Sequence, residues 1–592
     1  MLDLFKQKIH ELYNIILCPI DDMFKITALE NYKREIEFSH QKSFGSAYYE
    51  FIKNNKEKGT VYTPETISSY MIENTIKAKQ IIDNPYMKIV DPSCGTGNIL
   101  ICCFKLLRTL YVDNLNTIND KNGLNLNLKS IDEHIITHNL YGFDIDDIAI
   151  KILIIDLYDL SKGNICNNIL NVDFLLYESE HKYDIFIGNP PYVGKKSIDK
   201  AYADHLKVRY SEVYSDKGDL SYCFFKKAIE DLKNGGKLTF ITSRYFLESP
   251  SGGDLRKVLK EMCTIDKIID FYGIRPFKNI GIDPVILFIT NYQNIDNEIQ
   301  IMKPIAVKGK NKNEFYNSIF LKSGNKYNSF LLNKNKLNDK GWILIDEKQR
   351  NIIDKIEQRS FTYLSNICDS YQGVITGCDK AFVVNNDTYI RENIEKNIIK
   401  PWIKSSYIEK NSVSREDSYI IYSDLIQSPE EYPNAIAHIK VKKEKLIKRR
   451  ECERGIRKWY ELQWGRDQNI FEAEKIIFPF KASSNRFALD KGSYFSADVY
   501  ALILKENVPF TYDFLLYLLN SKIYEFYFKT FAKKLGEDAY EYYPNNLMKL
   551  CIPIMMDFNN SDENCLYDYF KFTEEEKKII LGEVTGSVLK FF

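Results

Sequence analysis

The sequence predicts an α/β fold in its first half, a doubly wound, parallel-rich sheet, followed by a mixed α+β region. Three observations carry this. From about residue 60 to 300, short apolar runs alternate with amphipathic stretches of helical period. Two of those runs end in chemically distinctive turns, Asp91-Pro92-Ser93-Cys94-Gly95-Thr96-Gly97-Asn98 and Asn189-Pro190-Pro191-Tyr192. From about 340 to 592 the alternation is lost and the chain becomes aromatic and charged. Strands that alternate with helices imply crossover connections, with helices on both sheet faces.

Residues 1–55 read as helical, because Leu2, Leu4, Phe5, Ile9, Leu12, Ile15 and Ile16 recur at helical intervals. Strands are expected at Lys88–Val90, Leu140–Phe143, Ile169–Val172, Ile185–Ile187, Lys237–Ile241, Ile265–Phe271 and Val285–Ile289. Helices are expected at 64–80, 97–110, 147–159, 219–233 and 253–261. The polar stretch Asn291–Asn338, rich in Asn and Lys, reads as a connector. The division is therefore 1–300, a connecting region at 301–340, and 341–592.

Bulk composition excludes several classes. At 592 residues the chain has room for two to four domains with ample core. Its formal net charge is zero, so any polyanion surface must come from local segregation of charge. The twelve cysteines form no Cys-x-x-Cys pair and no zinc spacing, which suits a reducing cytosol and no metal site. There is no signal-peptide pattern and no apolar stretch near ~20 residues, so a cytoplasmic protein without a membrane partner is expected.

The first turn suits a nucleotide-like cofactor. Gly95 and Gly97 follow a strand and precede a helix, where small residues allow close backbone approach to a ligand. A tight strand-to-helix turn is the alternative. Asp144 ends the next strand and can accept both ribose hydroxyls. Asp173 ends the one after; it can accept from an adenine amino group, and Phe174 can pack on the ring. Each Asp could equally cap a helix. Three acidic strand ends in succession favour the cofactor.

The second turn suits a flat aromatic amine, whose lone pair is delocalised into its ring. The Asn189 side-chain oxygen and the Pro190 carbonyl can each accept one amine hydrogen. That draws the nitrogen toward tetrahedral geometry for attack on a sulfonium methyl, and Tyr192 offers a flat face to the ring. A base in a duplex must be flipped out to arrive there. Phe277, just before the last strand, is the candidate second wall, with a core phenylalanine as the alternative. The loop Lys195–Asp219 either closes over the nucleotide or is a surface insertion.

In this order the motifs resemble the gamma-type DNA adenine-N6 methyltransferases, over roughly residues 55–290. Lys58-Gly59-Thr60-Val61-Tyr62-Thr63-Pro64 resembles the segment that precedes that family's cofactor loop. The resemblance implies a Rossmann-like methyltransferase sheet that binds S-adenosyl-L-methionine, with a DNA target recognition domain after it. It implies a catalytic Asn189, Pro190, Pro191 and Tyr192, and cofactor contacts at Tyr62, Thr63, Asp91, Gly95, Asp144 and Asp173. Cys94 receives no role.

The C-terminal half narrows the resemblance. Tyr371 to Phe382 resembles the start of recognition domains in single-chain restriction–modification enzymes. With Arg449-Arg450-Glu451-Cys452 and Trp459 to Arg466 it is similar to the sporulation-associated orphan adenine methyltransferases of clostridia. That similarity implies an A-rich asymmetric site, which suits a monomer because no two-fold must be matched.

Locally the neutral chain turns cationic between Lys440 and Lys458. Lys440, Lys448, Arg449, Arg450, Arg457 and Lys458 are expected at phosphates of double-stranded DNA. Trp459, Tyr460 and Trp464 are expected against sugars or bases, and Arg466 is expected to bind DNA. A solvated helix face is the alternative. Methyltransferases of release-factor glutamine or of rRNA bases share Asn-Pro-Pro-Tyr but do not explain this region. A bifunctional nuclease is disfavoured, since about 55 residues precede the motifs and carry no Asp…Glu-x-Lys pattern. A non-catalytic specificity module would not need the cofactor turn.

Overall fold

The computed structural model describes residues 2–35, 43–52, 62–194, 198–215, 218–277, 281–305, 312–324, 327–338, 341–414, 417–535, 539–554 and 563–582. The chain divides into two units, Met1–Leu344 and Ile345–Thr585.

The first unit is built on one nine-stranded sheet. Its strands are β1 (Ile89–Asp91), β2 (Leu140–Asp144), β3 (Ile169–Asn171), β4 (Tyr183–Gly188), β5 (Leu232–Ser243), β6 (Thr264–Asp270), β7 (Pro284–Thr290), β8 (Glu298–Pro304) and β9 (Tyr327–Asn333). They lie in the order β3-β2-β1-β4-β5-β7-β6-β8-β9. The five from β3 to β5 are parallel, and β7 inserts antiparallel between β5 and β6.

Apolar runs form the central strands because both faces are covered. Ile89, Ile185 and Ile187 enter one core with Leu100, Leu107 and Leu153. Val90 and Phe186, one residue out of phase, enter the other with Phe225 and Leu255. Strand order reverses between β1 and β4, which opens a crevice beyond their carboxyl ends.

All seven expected strands take their places in this sheet. The helix expected at 64–80 is two, Glu65–Thr75 and Ala78–Asp83, broken where Ile76 is extended. The connector expected at 301–340 is corrected: β8 and β9 extend the sheet, with Ile301 opposite Phe330. Ile299, Ile301 and Leu332 reach one core and Met302 the other, so β8 lies inside the sheet between β6 and β9, and β9 is its edge. The stretch after the catalytic motif holds a helix, Lys200–Arg209.

Three N-terminal helices, Leu2–Leu17, Asp22–Glu35 and Phe44–Ile52, pack on helix Asp147–Leu160. Phe5, Ile9, Leu12 and Ile16 meet Ile152, Ile155 and Tyr158 there.

The second unit is mixed α+β. One antiparallel sheet joins Cys368–Gln372, Val499–Leu504, Glu474–Pro479 and Ala488–Lys491. A second joins Val383–Asn385, Ser418–Ile421, Ile399–Ile403 and Tyr494–Phe495. They share a core of Phe382, Ile420, Phe471, Ile477 and Phe495. No described helix is long and apolar enough to cross a membrane, and the described residues contain no cluster suited to a metal ion.

Candidate cofactor cavity and catalytic motif

Beyond the ends of β1, β2 and β4 lies a cavity of about 680 Å³. Asp91, Gly95, Asp144, Asp173, Phe174, Asn189, Pro190 and Pro191 all line it. Residues up to 100 positions apart thus converge because they stand at the ends of adjacent parallel strands.

Asp91 is buried, and its Oδ1 accepts the Ser93 N–H at 3.1 Å. Burial, with a smaller contribution from the charge of Asp144, pushes its carboxyl up to about 8. Gly97 takes φ +88°, and a Cβ there would stand 2.1 Å from Leu153 Cδ1. The turn Asp91–Asn98 therefore packs directly on helix Asp147–Leu160, and only glycine permits this.

Asp144 Oδ2 accepts the Gly95 N–H at 2.8 Å and Oδ1 accepts the Asp146 N–H at 2.9 Å. Burial raises its carboxyl as well. The helix-cap alternative fails for Asp144, because Asp146 caps the helix through the Ile148 and Ala149 N–H groups. Asp173 Oδ1 accepts the Leu175 N–H at 2.9 Å, which is local turn capping, while Oδ2 accepts the Tyr202 hydroxyl at 2.7 Å. Phe174 is buried and stacked on Phe224, with 5.7 Å between centroids.

The Asn189–Tyr192 turn is held from two sides. Ser93 Oγ donates to the Asn189 carbonyl at 3.1 Å. Asn189 Nδ2 donates to Thr63 Oγ1 at 3.0 Å, so Oδ1, the amide's acceptor end, lies on the other side. Thr63 is buried, and Tyr62 sets its ring 4.5 Å from that of Tyr49. Tyr192 and Phe277 lie together, with centroids 6.3 Å apart and planes at 48°. Phe277 is buried in the core, so the core alternative describes its present position. Two stacked contacts of 3.5–4.0 Å need about 7–8 Å, so a base between these rings requires them to part by roughly 1 Å. Lys58–Val61 and Lys278–Ile280 of the expected motifs lie outside the described residues.

Several lining residues escaped the sequence reading. Helix Phe44–Ile52 supplies Tyr48, Tyr49 and Ile52. It is pinned by the buried Asp156, whose carboxylate accepts the Phe44 and Gly45 N–H groups at 3.0 and 2.9 Å. Burial pushes the Asp156 carboxyl up to about 7. Gly45 presses on the cofactor turn: a Cβ there would lie 3.0 Å from Thr96 Cβ. Tyr202 and Phe224 complete the wall. No local pattern marks any of them; only the sheet brings them near.

In the second unit the expected DNA residues divide. Lys440, Lys448, Arg450, Lys458 and Arg466 are exposed, and Trp464 is 38% exposed. Arg449 corrects the expectation of a phosphate contact. It is buried, and its guanidinium donates to the carbonyls of Thr376, Leu446, Lys458, Trp459 and Glu461 at 2.9–3.4 Å. Arg457 pairs with Asp424 at 3.2 Å and lies over Trp464. Trp459 is half-buried beneath Lys443, 5.0 Å from its centroid. Arg466 donates to Gln372 Oε1 at 2.9 Å.

Similarity to known proteins follows the same two units. Residues 76–160 match the MmeI DNA-methyltransferase domain and residues 138–277 the Eco57I restriction-modification methylase family. Residues 400–554 match the TaqI-like C-terminal specificity domain. The type II methyltransferase M.BstVI of Geobacillus stearothermophilus is 23% identical over 86% of this chain and 92% of its own. M.HindII of Haemophilus influenzae is 26% identical over 78% of this chain and 83% of its own. The fold resembles that of the type IIL restriction-modification enzyme MmeI, solved in complex with DNA, with a TM-score of 0.55 at 14% identity. That likeness covers 85% of this chain and 65% of the MmeI chain.

The fold and these matches point to a DNA methyltransferase similar to those of restriction–modification systems, its residues 400–554 similar to the TaqI-like C-terminal specificity domain. The similarity to M.BstVI and M.HindII extends over more than three-quarters of the chain, across both units.

Proposed function

We propose that the protein methylates adenine N6 in double-stranded DNA with S-adenosyl-L-methionine as donor. The observation that carries this is the convergence of Asn189, Pro190 and Pro191 with Gly95, Asp144 and Asp173 on one cavity.

The cavity fits such a donor. Its volume of about 680 Å³ lies in the range of small-molecule sites. The Gly97 turn lets backbone approach the ligand, Asp144 stands where ribose hydroxyls would be accepted, and Asp173 stands where an amino group would. When bound, the cofactor supplies an electrophilic methyl on a sulfonium. The protein's own part is to orient the amine. Asn189 Oδ1 and the Pro190 carbonyl take its two hydrogens, while the Ser93 and Thr63 bonds hold the motif still. No strong base is needed, because the nitrogen's proton becomes acidic only as positive charge develops. The target adenine must leave the duplex to reach this pocket, with Tyr192 and a displaced Phe277 as its walls. The exposed Lys440, Lys448, Arg450, Lys458, Trp464 and Arg466 would meet DNA.

Digesting methylated duplex DNA to nucleosides tests this. N6-methyladenine is the expected product; N4- or C5-methylcytosine alone overturns the reading. An orphan enzyme acting as a monomer on an A-rich asymmetric site is the finer proposal. A methylase working beside a restriction enzyme is the second reading, favoured by the type II relatives. Sequencing modified bases in DNA treated with the purified protein separates the site question from the chemistry.

A further inference from the structure

Helix Lys200–Arg209 follows the catalytic motif by eight residues, yet one of its side chains faces the cofactor cavity. That side chain is Tyr202, whose hydroxyl donates to Asp173 Oδ2 at 2.7 Å. The other oxygen of the same carboxylate accepts the Leu175 N–H. A carboxylate held at one oxygen can still turn; a second donor on a rigid phenol fixes its plane.

The phenol is itself well fixed. Asp199 caps the helix by accepting the Tyr202 N–H at 3.1 Å. Leu206 and Tyr210 are buried in the core beneath it. The Tyr210 hydroxyl donates to the Leu175 carbonyl at 2.6 Å, and Arg209 pairs with Glu178. The helix is thereby tied to the turn that begins at Asp173, at the same turn's Leu175 and at its far end.

We propose that Tyr202 is a positioning residue that sets Asp173 to read the exocyclic amine of the cofactor's adenine. The segment after the catalytic motif then belongs to the cofactor site as well as to the target side. This inference rests on the adenosyl cofactor of the proposed function.

The discriminating quantity is a ratio of dissociation constants, that of S-inosylhomocysteine over that of S-adenosylhomocysteine. The inosyl compound presents a carbonyl where the adenosyl compound presents an amine, so a fixed carboxylate rejects it. In the wild-type protein the ratio should be about tenfold or more, the loss of one charge-assisted hydrogen bond. Tyr202→Phe keeps the ring and its packing but cannot donate. The ratio should then fall by at least about threefold, with the thermal midpoint of the ligand-free protein nearly unchanged. In an Asp173→Asn background, Tyr202→Phe should change the ratio no further. A ratio that stays constant or rises in Tyr202→Phe overturns the inference, and so does a Tyr202→Phe effect that persists without Asp173. A wild-type protein that binds both compounds equally overturns it too. If the wild-type protein binds neither, the cofactor reading itself falls, and this inference falls with it.

Discussion

Asn189 Nδ2 donates to Thr63 Oγ1 across 3.0 Å, joining two residues 126 positions apart in the chain. One stands in the turn after β4 and the other just precedes helix Glu65–Thr75. In the proposed reaction the bond sets Oδ1, and not Nδ2, as the amide end that meets the amine.

Asn189→Ala should therefore cut methyl transfer by a factor of about 10²–10³ or more, as loss of a transition-state acceptor does. Cofactor and DNA binding should stay within a few-fold. Thr63→Val, which leaves the amide free to rotate, should cost about tenfold. Turnover by Asn189→Ala close to that of the wild type would remove the motif from the chemistry.

Asp144→Ala should raise the cofactor dissociation constant by about tenfold or more. The same carboxylate also holds the Gly95 N–H, so the cofactor turn loosens with it. Calorimetric titration checks this, and an unchanged titration would leave Asp144 a purely structural acid.

The two glycines of that turn should differ. Gly97→Ala forces a left-handed alanine against Leu153 and should destabilise the protein by about 3 kcal/mol or more. At Gly95, φ +49° with no atom within 4 Å of a new Cβ, alanine should cost only about 1–2 kcal/mol. Denaturant melts of the two variants decide it; equal losses would contradict the packing described.

Stability should also respond to pH. The folded-state carboxyls of Asp91 and Asp156 titrate at about 8 and about 7, well above the ~3.9 of an unfolded aspartate. Between about pH 4 and 8 the folded chain then holds more protons than the unfolded one. These groups make stability fall as pH rises through that window. Asp91→Asn cannot ionise and should flatten the fall, read from thermal midpoints between pH 5.5 and 8.5. Parallel curves for variant and wild type would refute the assignment.

Among the cationic residues the expected roles separate by burial. Arg449→Ala leaves five carbonyls without their donor and should destabilise the specificity unit by about 3 kcal/mol or more. Replacing the exposed Lys448, Arg450 and Lys458 by glutamine should leave stability nearly unchanged. It should reduce the slope of log K against log salt for DNA by up to about 2.7, at ~0.9 per lost phosphate contact. An unaltered slope would take this segment out of the interface.

The parts of this molecule that could be read in advance are those written in local pattern. The strands β1 to β7 were legible because buried parallel strands demand unbroken apolar runs, and the crossover helices because their apolar positions recur at helical spacing. β8 and β9 were not, since their apolar positions Ile299, Ile301, Met302 and Leu332 are interrupted by Gln300, Lys303 and Asn333 and form no unbroken apolar run.

By itself the sequence determined the α/β order, the glycine turn, the acidic residues Asp91 and Asp144 at strand ends with Asp173 just beyond a third, and the turn Asn189–Tyr192, because each is set by neighbours along the chain. Only the tertiary structure decided that Asp156 would dock a helix 111 residues away against the cofactor turn. It alone decided that Tyr202 would face Asp173 and that Arg449 would be buried while Arg450 beside it is exposed. Those outcomes depend on which surfaces meet when sheet and helices pack. A charge or a ring looks the same in sequence whether its partner is solvent or a carbonyl from a distant strand.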